Sequence, residues 1–97
     1  MRILGFDWDA INRKKVESHD LETDDVEALF ESGEPWVFRH TTDAGRTLAL
    51  GFVPDGRFVL VVFEHDKTTR WARVVTAYEP TNPGWWKKYA GKKGLDA

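Results

Sequence analysis

The chain contains no cysteine among its 97 residues. This absence excludes disulfides, thiol nucleophiles and zinc sites built on thiolates, and it favours a reducing, cytoplasmic location. The sequence also lacks an apolar run of the roughly 18 residues that a membrane-spanning helix needs. Its N-terminus has no basic segment followed by an apolar signal core. We therefore expect a soluble cytoplasmic protein that does not engage a membrane.

The chain also lacks an excess of basic charge, since its formal net charge is −2 and its pI is about 5.9. The molecule as a whole has no general attraction to nucleic acid. Its charges are unevenly spread, because the segment from Glu17 to Glu34 holds acidic side chains and no lysine or arginine. Four lysines lie close together near the C-terminus: Lys87, Lys88, Lys92 and Lys93. One end of the molecule could therefore contact a polyanion.

Motifs for nucleotide, metal or cofactor chemistry are absent. There is no G-x-S-x-G elbow, phosphate-cradling P-loop or G-x-G-x-x-G fingerprint, so no cofactor is expected. The histidines lie on three different predicted elements without H-x-x-x-H spacing, so no metal site is predicted. His19 ends a predicted helix, where an imidazolium interacts favourably with the helix dipole. His65 is interpreted as a solvated residue, whereas His40, beside a loop, is the better candidate for chemistry.

The length predicts one domain, residues 1–97, with a single hydrophobic core. A short strand is predicted over residues 2–7, and Asp7 or Asp9 can then cap a helix over residues 10–18. A second helix is predicted with Thr23 as its cap, ending at Gly33, because apolar residues recur there at i, i+3 and i+4.

After residue 35 the hydrophobic period changes to two, which predicts four strands: residues 36–41, 46–53, 57–64 and 71–79. The segments between them have turn composition, including Asp43-Ala44-Gly45, so the strands are predicted to form an antiparallel meander. The third of these strands is apolar on both faces and should be central. A short final helix is predicted over residues 85–92. The order of elements predicts an α+β domain, with helices on one face of the sheet and the other face partly open.

Basic and aromatic side chains are the remaining candidates for chemistry, and they suit RNA because cations hold phosphates while aromatic rings stack on bases. The set comprises Arg39, His40, Arg46, Arg57, Arg70, Arg73, Tyr78, Lys87, Lys88 and Tyr89. The alternative is that arginines at alternate strand positions form a solvated face. Likewise, the aromatic residues of the tail could dock the last helix, with lysines covering their rims.

Several short motifs occur in a consistent order between Phe6 and Tyr89: Phe6-Asp7-Trp8-Asp9; Asn12, Val16 and His19; Asp25-Val26-Glu27-Ala28-Leu29-Phe30; Gly56-Arg57-Phe58-Val59-Leu60-Val61-Val62; and Arg73-Val74-Val75-Thr76-Ala77. In order and spacing the chain resembles the BrnT family, small bacterial type II toxins with a RelE-like ribonuclease fold. The resemblance implies an RNA-cleaving toxin that inhibits translation. It also implies a ribbon-helix-helix antitoxin encoded beside it, through which the pair binds operator DNA.

The resemblance suggests a site on the open sheet face. Arg73 with Lys87 or Lys88 would contact phosphate, Tyr78 would stack or donate a proton, and His19 or His40 would assist. The remaining RNA-binding candidates are Arg39, Arg57 and Tyr89. The RNA 2′-hydroxyl would be the nucleophile, so no metal is required by this hypothesis.

The chain departs from the family pattern at its last strand. Members typically end this strand in Ser/Thr-Ala-Arg, whereas here Tyr78 occupies the arginine position. After the strand, members usually carry Glu-Arg-Arg-x-Tyr, whereas this chain has Gly84-Trp85-Trp86-Lys87-Lys88-Tyr89. Tyrosine cannot supply the permanent cation and forked donors of arginine. The alternative hypothesis is therefore a catalytically inactive BrnT-like interaction module. In an ideal strand Arg73 and Tyr78 face opposite sides, so they share a face only if the strand bends or bulges.

Overall fold

A computed structural model describes residues 2–40, 42, 43 and 45–94. The elements in chain order are β1 (Gly5–Phe6), α1 (Ala10–Glu17), α2 (Thr23–Ser32), β2 (Trp36–Arg39), β3 (Thr47–Phe52), β4 (Phe58–His65), β5 (Trp71–Tyr78) and α3 (Pro83–Lys93). None of these helices combines the length and the apolar character that crossing a membrane requires.

The α+β class is confirmed, but the sheet differs from the predicted four-stranded antiparallel meander. It is five-stranded and mixed, with the order β1-β5-β4-β3-β2. Strands β2 to β5 pair antiparallel with their chain neighbours, and β1 adds to β5 in parallel. The addition is stabilised by backbone hydrogen bonds from Leu4 N to Arg70 O and from Asp7 N to Ala72 O, both 2.8 Å. As predicted, the strand that is apolar on both faces, β4, is central.

Most predicted strands extend beyond the residues that pair in the ladder. β1 keeps only two ladder residues of the predicted 2–7, and β2 ends at Arg39 rather than at residue 41. Thr41, the last residue predicted for that strand, and Ala44 in the predicted turn lie outside the described residues.

The helix caps explain where the helices begin. Of the two predicted caps, Asp7 and Asp9, it is Asp9 that caps α1, since its side-chain oxygen accepts from the backbone N–H groups of Ile11 and Asn12. The cap of α2 is Glu22 instead of Thr23, with the Asp25 carboxylate accepting from Glu22 N at 2.8 Å. α3 begins two residues earlier than predicted, because Asn82 accepts from Gly84 N at 2.8 Å and Pro83 suits the first helical position.

Two hydrophobic clusters lie on opposite faces of the sheet, as strand alternation requires. On one side, which we call the helix face, Ala49, Val59 and Val61 pack with residues of α1 and α2 such as Val16 and Leu29. On the other side, the cleft face, a smaller cluster packs under α3: Leu48, Leu50, Leu60 and Tyr89. The prediction that helices cover one face only is therefore wrong, because α3 folds back over part of the second face to bury its aromatic residues.

A β-bulge lies in β5 at Val75. Val62 pairs with Thr76, whereas the next residue of β4, Phe63, pairs with Val74, which leaves Val75 as the extra residue. The pairing partners of Arg73 and Tyr78 are Glu64 and Leu60, and these lie on the same face of β4. The bulge on which a shared face for Arg73 and Tyr78 depends is thus present, and it brings both residues to the cleft face.

Candidate functional site

A cavity of about 480 Å³ opens on the cleft face between the sheet and α3. Its floor is aliphatic, from Leu48, Leu60 and Val62 of β3 and β4. The remaining lining residues surround this floor: Trp36, Phe38, His40, Tyr78, Trp85 and Lys88. Three predicted site residues, His40, Tyr78 and Lys88, therefore line one concave surface although they come from three separate elements. We call this surface the cleft.

Aromatic rings form one wall of the cleft. Trp36 and Phe38 stack at 4.1 Å between ring centroids, and Phe38 lies 5.9 Å from Trp85 on α3. The sequence reasoning did not assign Trp36 or Phe38 to the site. A signal was available, because residues two apart in a strand share a face, but nothing in the sequence showed that α3 would complete the wall.

Tyr78 lies at the opposite side of the cleft, near the edge of the sheet. Its ring is half-buried, and its centroid is 5.8 Å from that of His19, an exposed residue just beyond α1. Within the described part of the chain, neither the Tyr78 hydroxyl nor the His19 imidazole has a hydrogen-bond partner. The Tyr78 hydroxyl is therefore available to a ligand in the cleft, whereas His19 does not line the cleft and lies next to Tyr78.

His40 has a different role from His19. Its Nδ1 accepts from the backbone N–H groups of Thr42 and Asp43 at 3.2 and 3.1 Å. A neutral imidazole that accepts at Nδ1 carries its proton on Nε2. In this tautomer Nδ1 is occupied by the loop, and Nε2 is a donor rather than a proton acceptor.

The lysines of α3 surround the aromatic wall. Lys88 Nζ lies 5.2 Å from the ring centroid of Trp85, and Lys92 Nζ lies 5.8 Å from that of Trp36. Lys87 is exposed and lines a shallow depression beside the cleft together with Lys88. These side chains give the rim positive charge, whereas the lining of the cleft includes no carboxylate among the described residues.

Arg73 shares the face of Tyr78 but lies in an acidic setting. Its guanidinium contacts Asp9 at 2.5 Å and Asp7 at 3.6 Å, and its partner across the ladder is Glu64. Its Cα is about 13 Å along the sheet from that of Tyr78, given the four-residue separation of their partners. Arg73 is therefore outside the cleft, and its charge is already balanced by carboxylates.

The other predicted RNA-binding residues lie away from the cleft. Arg57 pairs with Asp55 at 2.8 Å and with Asp25 at 3.7 Å, and Arg39 is exposed on the helix-face side of β2. Tyr89 is only 6% exposed, and burial raises the pKa of its phenol. Its ring packs against a group of aromatic side chains: Phe52, Phe58 and Trp86. Tyr89 is therefore a core residue whose ring has no free face for a base.

Asn12 fixes α1 along the edge of β5. Its side chain is 3% exposed and donates to Asp7 O and Val74 O, both at 2.9 Å. Its oxygen accepts from Asp9 N at 2.7 Å. Because Val74 adjoins the bulge and α1 leads to His19, this one side chain aligns the helix with the strand that carries Tyr78.

Acid should weaken the contact between Asp9 and Arg73. Hydrogen bonds from the Asn12 backbone and from the Arg73 side chain lower the pKa of Asp9 below its ordinary value of 3.8. A carboxylate with a lowered folded-state pKa stabilises the fold above its unfolded-state pKa, and this contribution is lost as pH falls through the folded-state value.

We expect Asp9→Asn, which retains capping ability, to be less stable than wild type at pH 7. The difference should shrink as the pH falls below about 4. Urea unfolding of both proteins between pH 7 and pH 3 measures it. If the difference in free energy of unfolding between the two proteins stays constant from pH 7 to pH 3, the pKa of Asp9 is not lowered in the folded state.

Comparison of the chain with family models, with curated proteins and with solved structures gives no match. The relationship to the BrnT family therefore stays a prediction from the sequence motifs. The described residues include no group of three or more histidine, aspartate or glutamate side chains that could hold a metal ion.

Proposed function

We propose that the chain is a BrnT-like toxin that cleaves RNA without a metal and thereby inhibits translation. The observation that carries this function is that Tyr78 and Lys88 line one cleft, with the His19 ring 5.8 Å from the Tyr78 ring between centroids. A hydroxyl and an imidazole can transfer protons, and an ammonium can stabilise the charge that develops on a phosphate, as metal-independent cleavage of RNA requires.

In the proposed reaction, the 2′-hydroxyl of one nucleotide attacks its own 3′-phosphate. His19 accepts the proton of the 2′-hydroxyl, and the P–O5′ bond breaks as Tyr78 donates its proton to the leaving 5′-oxygen. The products are a 2′,3′-cyclic phosphate and a 5′-hydroxyl. Lys88 and the Nε2–H of His40 stabilise the charge that develops on the non-bridging oxygens.

Arg73 has a secondary role in this scheme. A phosphate could contact its guanidinium only in competition with Asp9 and Asp7. Lys87, exposed beside the cleft, is the better contact for a neighbouring phosphate. This division differs from the sequence-based hypothesis, in which Arg73 was a main phosphate contact.

The second candidate function is a catalytically inactive interaction module with the same fold. Its support is that Arg73 and Arg57 are paired with carboxylates and that Tyr78 stands where the family has arginine. Either function would pair the chain with a ribbon-helix-helix antitoxin encoded beside it, and operator DNA would be bound through that antitoxin. A complex with such a partner that has no ribonuclease activity would favour the module.

Induced expression in bacteria tests the toxin function. We expect wild type to arrest growth, Tyr78→Phe to relieve the arrest, and Arg73→Ala to have a smaller effect because Arg73 lies outside the cleft. His65→Gln serves as the control, because His65 is remote from the cleft lining, and it should arrest growth like wild type. Normal growth with wild type and with every variant at matched expression would rule out the toxin function.

A further inference from the structure

We propose that the cleft receives an unstacked base of single-stranded RNA, which lies against the aromatic wall of Trp36, Phe38 and Trp85. This inference rests on the proposed function and names the form of RNA that the same site takes. None of these three residues belongs to the group that performs the chemistry. They would act as a binding surface that holds the adjacent phosphate beside Tyr78.

The shape of the cleft suits a flat aromatic ligand. Its volume of about 480 Å³ falls within the roughly 300 to 1,000 Å³ of typical ligand pockets. Leu48, Leu60 and Val62 give it an apolar floor, so a base that enters exchanges water for apolar and aromatic contacts. The centroids of the Phe38 and Trp85 rings are 5.9 Å apart, which is too close for a base to insert between them, so the base stacks against the wall from the cleft side.

The charge of the cleft indicates an anion as the rest of the ligand. Lys88 and Lys92 lie over the rings of Trp85 and Trp36, so cations flank the aromatic surface at both positions. The neighbouring cavity around Arg73 differs, since Asp7, Glu64 and Asp66 line it. An aromatic ligand that carries phosphates therefore fits the cleft and not its neighbour.

The position of the cleft between the sheet and α3 favours single strands. In an A-form duplex each base is stacked above and below and paired at its edge, so it cannot reach a floor beneath a helix without being extruded. In a single strand the base is already free, and aromatic side chains that stack on it contribute without regard to sequence. We therefore expect preference for single-stranded over duplex RNA and only modest preference among bases.

A binding experiment separates this inference from catalysis. The probe is a fluorescent 2′-O-methyl hexanucleotide, which lacks the 2′-hydroxyl nucleophile, and its partner is a hexamer of abasic spacers with the same charge. Fluorescence anisotropy should show wild type binding the abasic hexamer at least about 10-fold more weakly, since stacking contributes roughly 1 to 3 kcal/mol per base. Trp85→Leu should weaken binding of the base-containing hexamer by a similar factor and abolish the difference between the two probes.

Trp71→Leu is the matched control, because Trp71 is exposed on another part of the sheet and lines the cavity around Arg73. It should bind both hexamers as wild type does. Two results with wild type alone would overturn the inference. One is equal affinity for the base-containing and the abasic hexamer, and the other is equal affinity for the single-stranded hexamer and a duplex of the same sequence. Tryptophan fluorescence that changes with protein concentration alone, and not with RNA, would assign the cleft to a second copy of the chain and would also overturn it.

Failure of the base site and failure of the proposed catalysis would give different results. Base-dependent binding by a protein that does not cleave unmodified RNA would support the base site and contradict the proposed catalysis. Cleavage of unmodified RNA together with equal binding of both hexamers would contradict the base site alone.

Discussion

Replacing Asn12 with alanine is expected to lower the free energy of unfolding by about 3 kcal/mol. The substitution leaves three backbone groups without their partner, namely Asp7 O, Asp9 N and Val74 O. The position is almost fully buried, so water cannot readily replace the lost side chain. The bond to Val74 also joins positions 62 residues apart, and its loss should free the edge of β5.

Urea or guanidinium unfolding measures this effect, and Asn82→Ala is the matched control. Asn82 also loses a side-chain bond to a backbone N–H, but it is an exposed helix cap, whose removal costs about 1 kcal/mol. If Asn12→Ala lowers the free energy of unfolding by no more than Asn82→Ala does, Asn12 does not hold α1 against the sheet.

Replacing Tyr78 with phenylalanine is expected to slow RNA cleavage by a factor of about 10² to 10⁴, the usual contribution of a general acid or base. Phenylalanine keeps the ring that packs against the cleft-face cluster, so the fold and the affinity for RNA should change little. Initial rates of cleavage of a short single-stranded RNA, measured with enzyme in excess, give this factor directly.

His19→Gln should slow RNA cleavage by a similar factor, because the imidazole near Tyr78 is the proposed proton acceptor. The double variant should be little worse than either single variant, since groups that act as a unit are not additive. His65→Gln is the control and should retain the wild-type rate. A wild-type rate for Tyr78→Phe, with the loss confined to His19→Gln, would remove Tyr78 from the chemistry.

Local patterns were enough to predict most of the elements. The period of 3.6 located α2, the period of two located β2 to β5, and the double-sided apolar pattern of β4 predicted its central place. The pairing of β1 with β5 could not be predicted in the same way. Two residues carry almost no periodic signal, and their partners at Trp71 and Ala72 lie far along the chain.

The candidate site was predictable only in part. His40, Tyr78 and Lys88 were identified by residue type, and the structure brings these three together in the cleft. Arg73 was identified by the same reasoning, but its pairing with Asp9 depends on how α1 docks on β5, which no local pattern indicates. The same limit applies to Tyr89, because a residue type cannot show that neighbouring rings bury it.

The position of α3 determines whether the site is an open sheet face or a cleft. A short helix with glycine, tryptophan and lysine could pack on either face of a sheet or extend away from it. It packs on the cleft face because Tyr89 is buried there against Phe58 and against Phe52 at the end of β3. This placement carries Trp85 and Lys88 to the cleft and converts an open sheet face into a concave one.

The most direct test of the proposed function is cleavage of a short single-stranded RNA by the purified protein in the presence of EDTA, with analysis of the product ends. We predict 2′,3′-cyclic phosphate and 5′-hydroxyl ends, with the rate strongly reduced in Tyr78→Phe and unchanged in His65→Gln. No cleavage by folded wild-type protein, or the same rate in Tyr78→Phe, would contradict a ribonuclease that acts through this cleft.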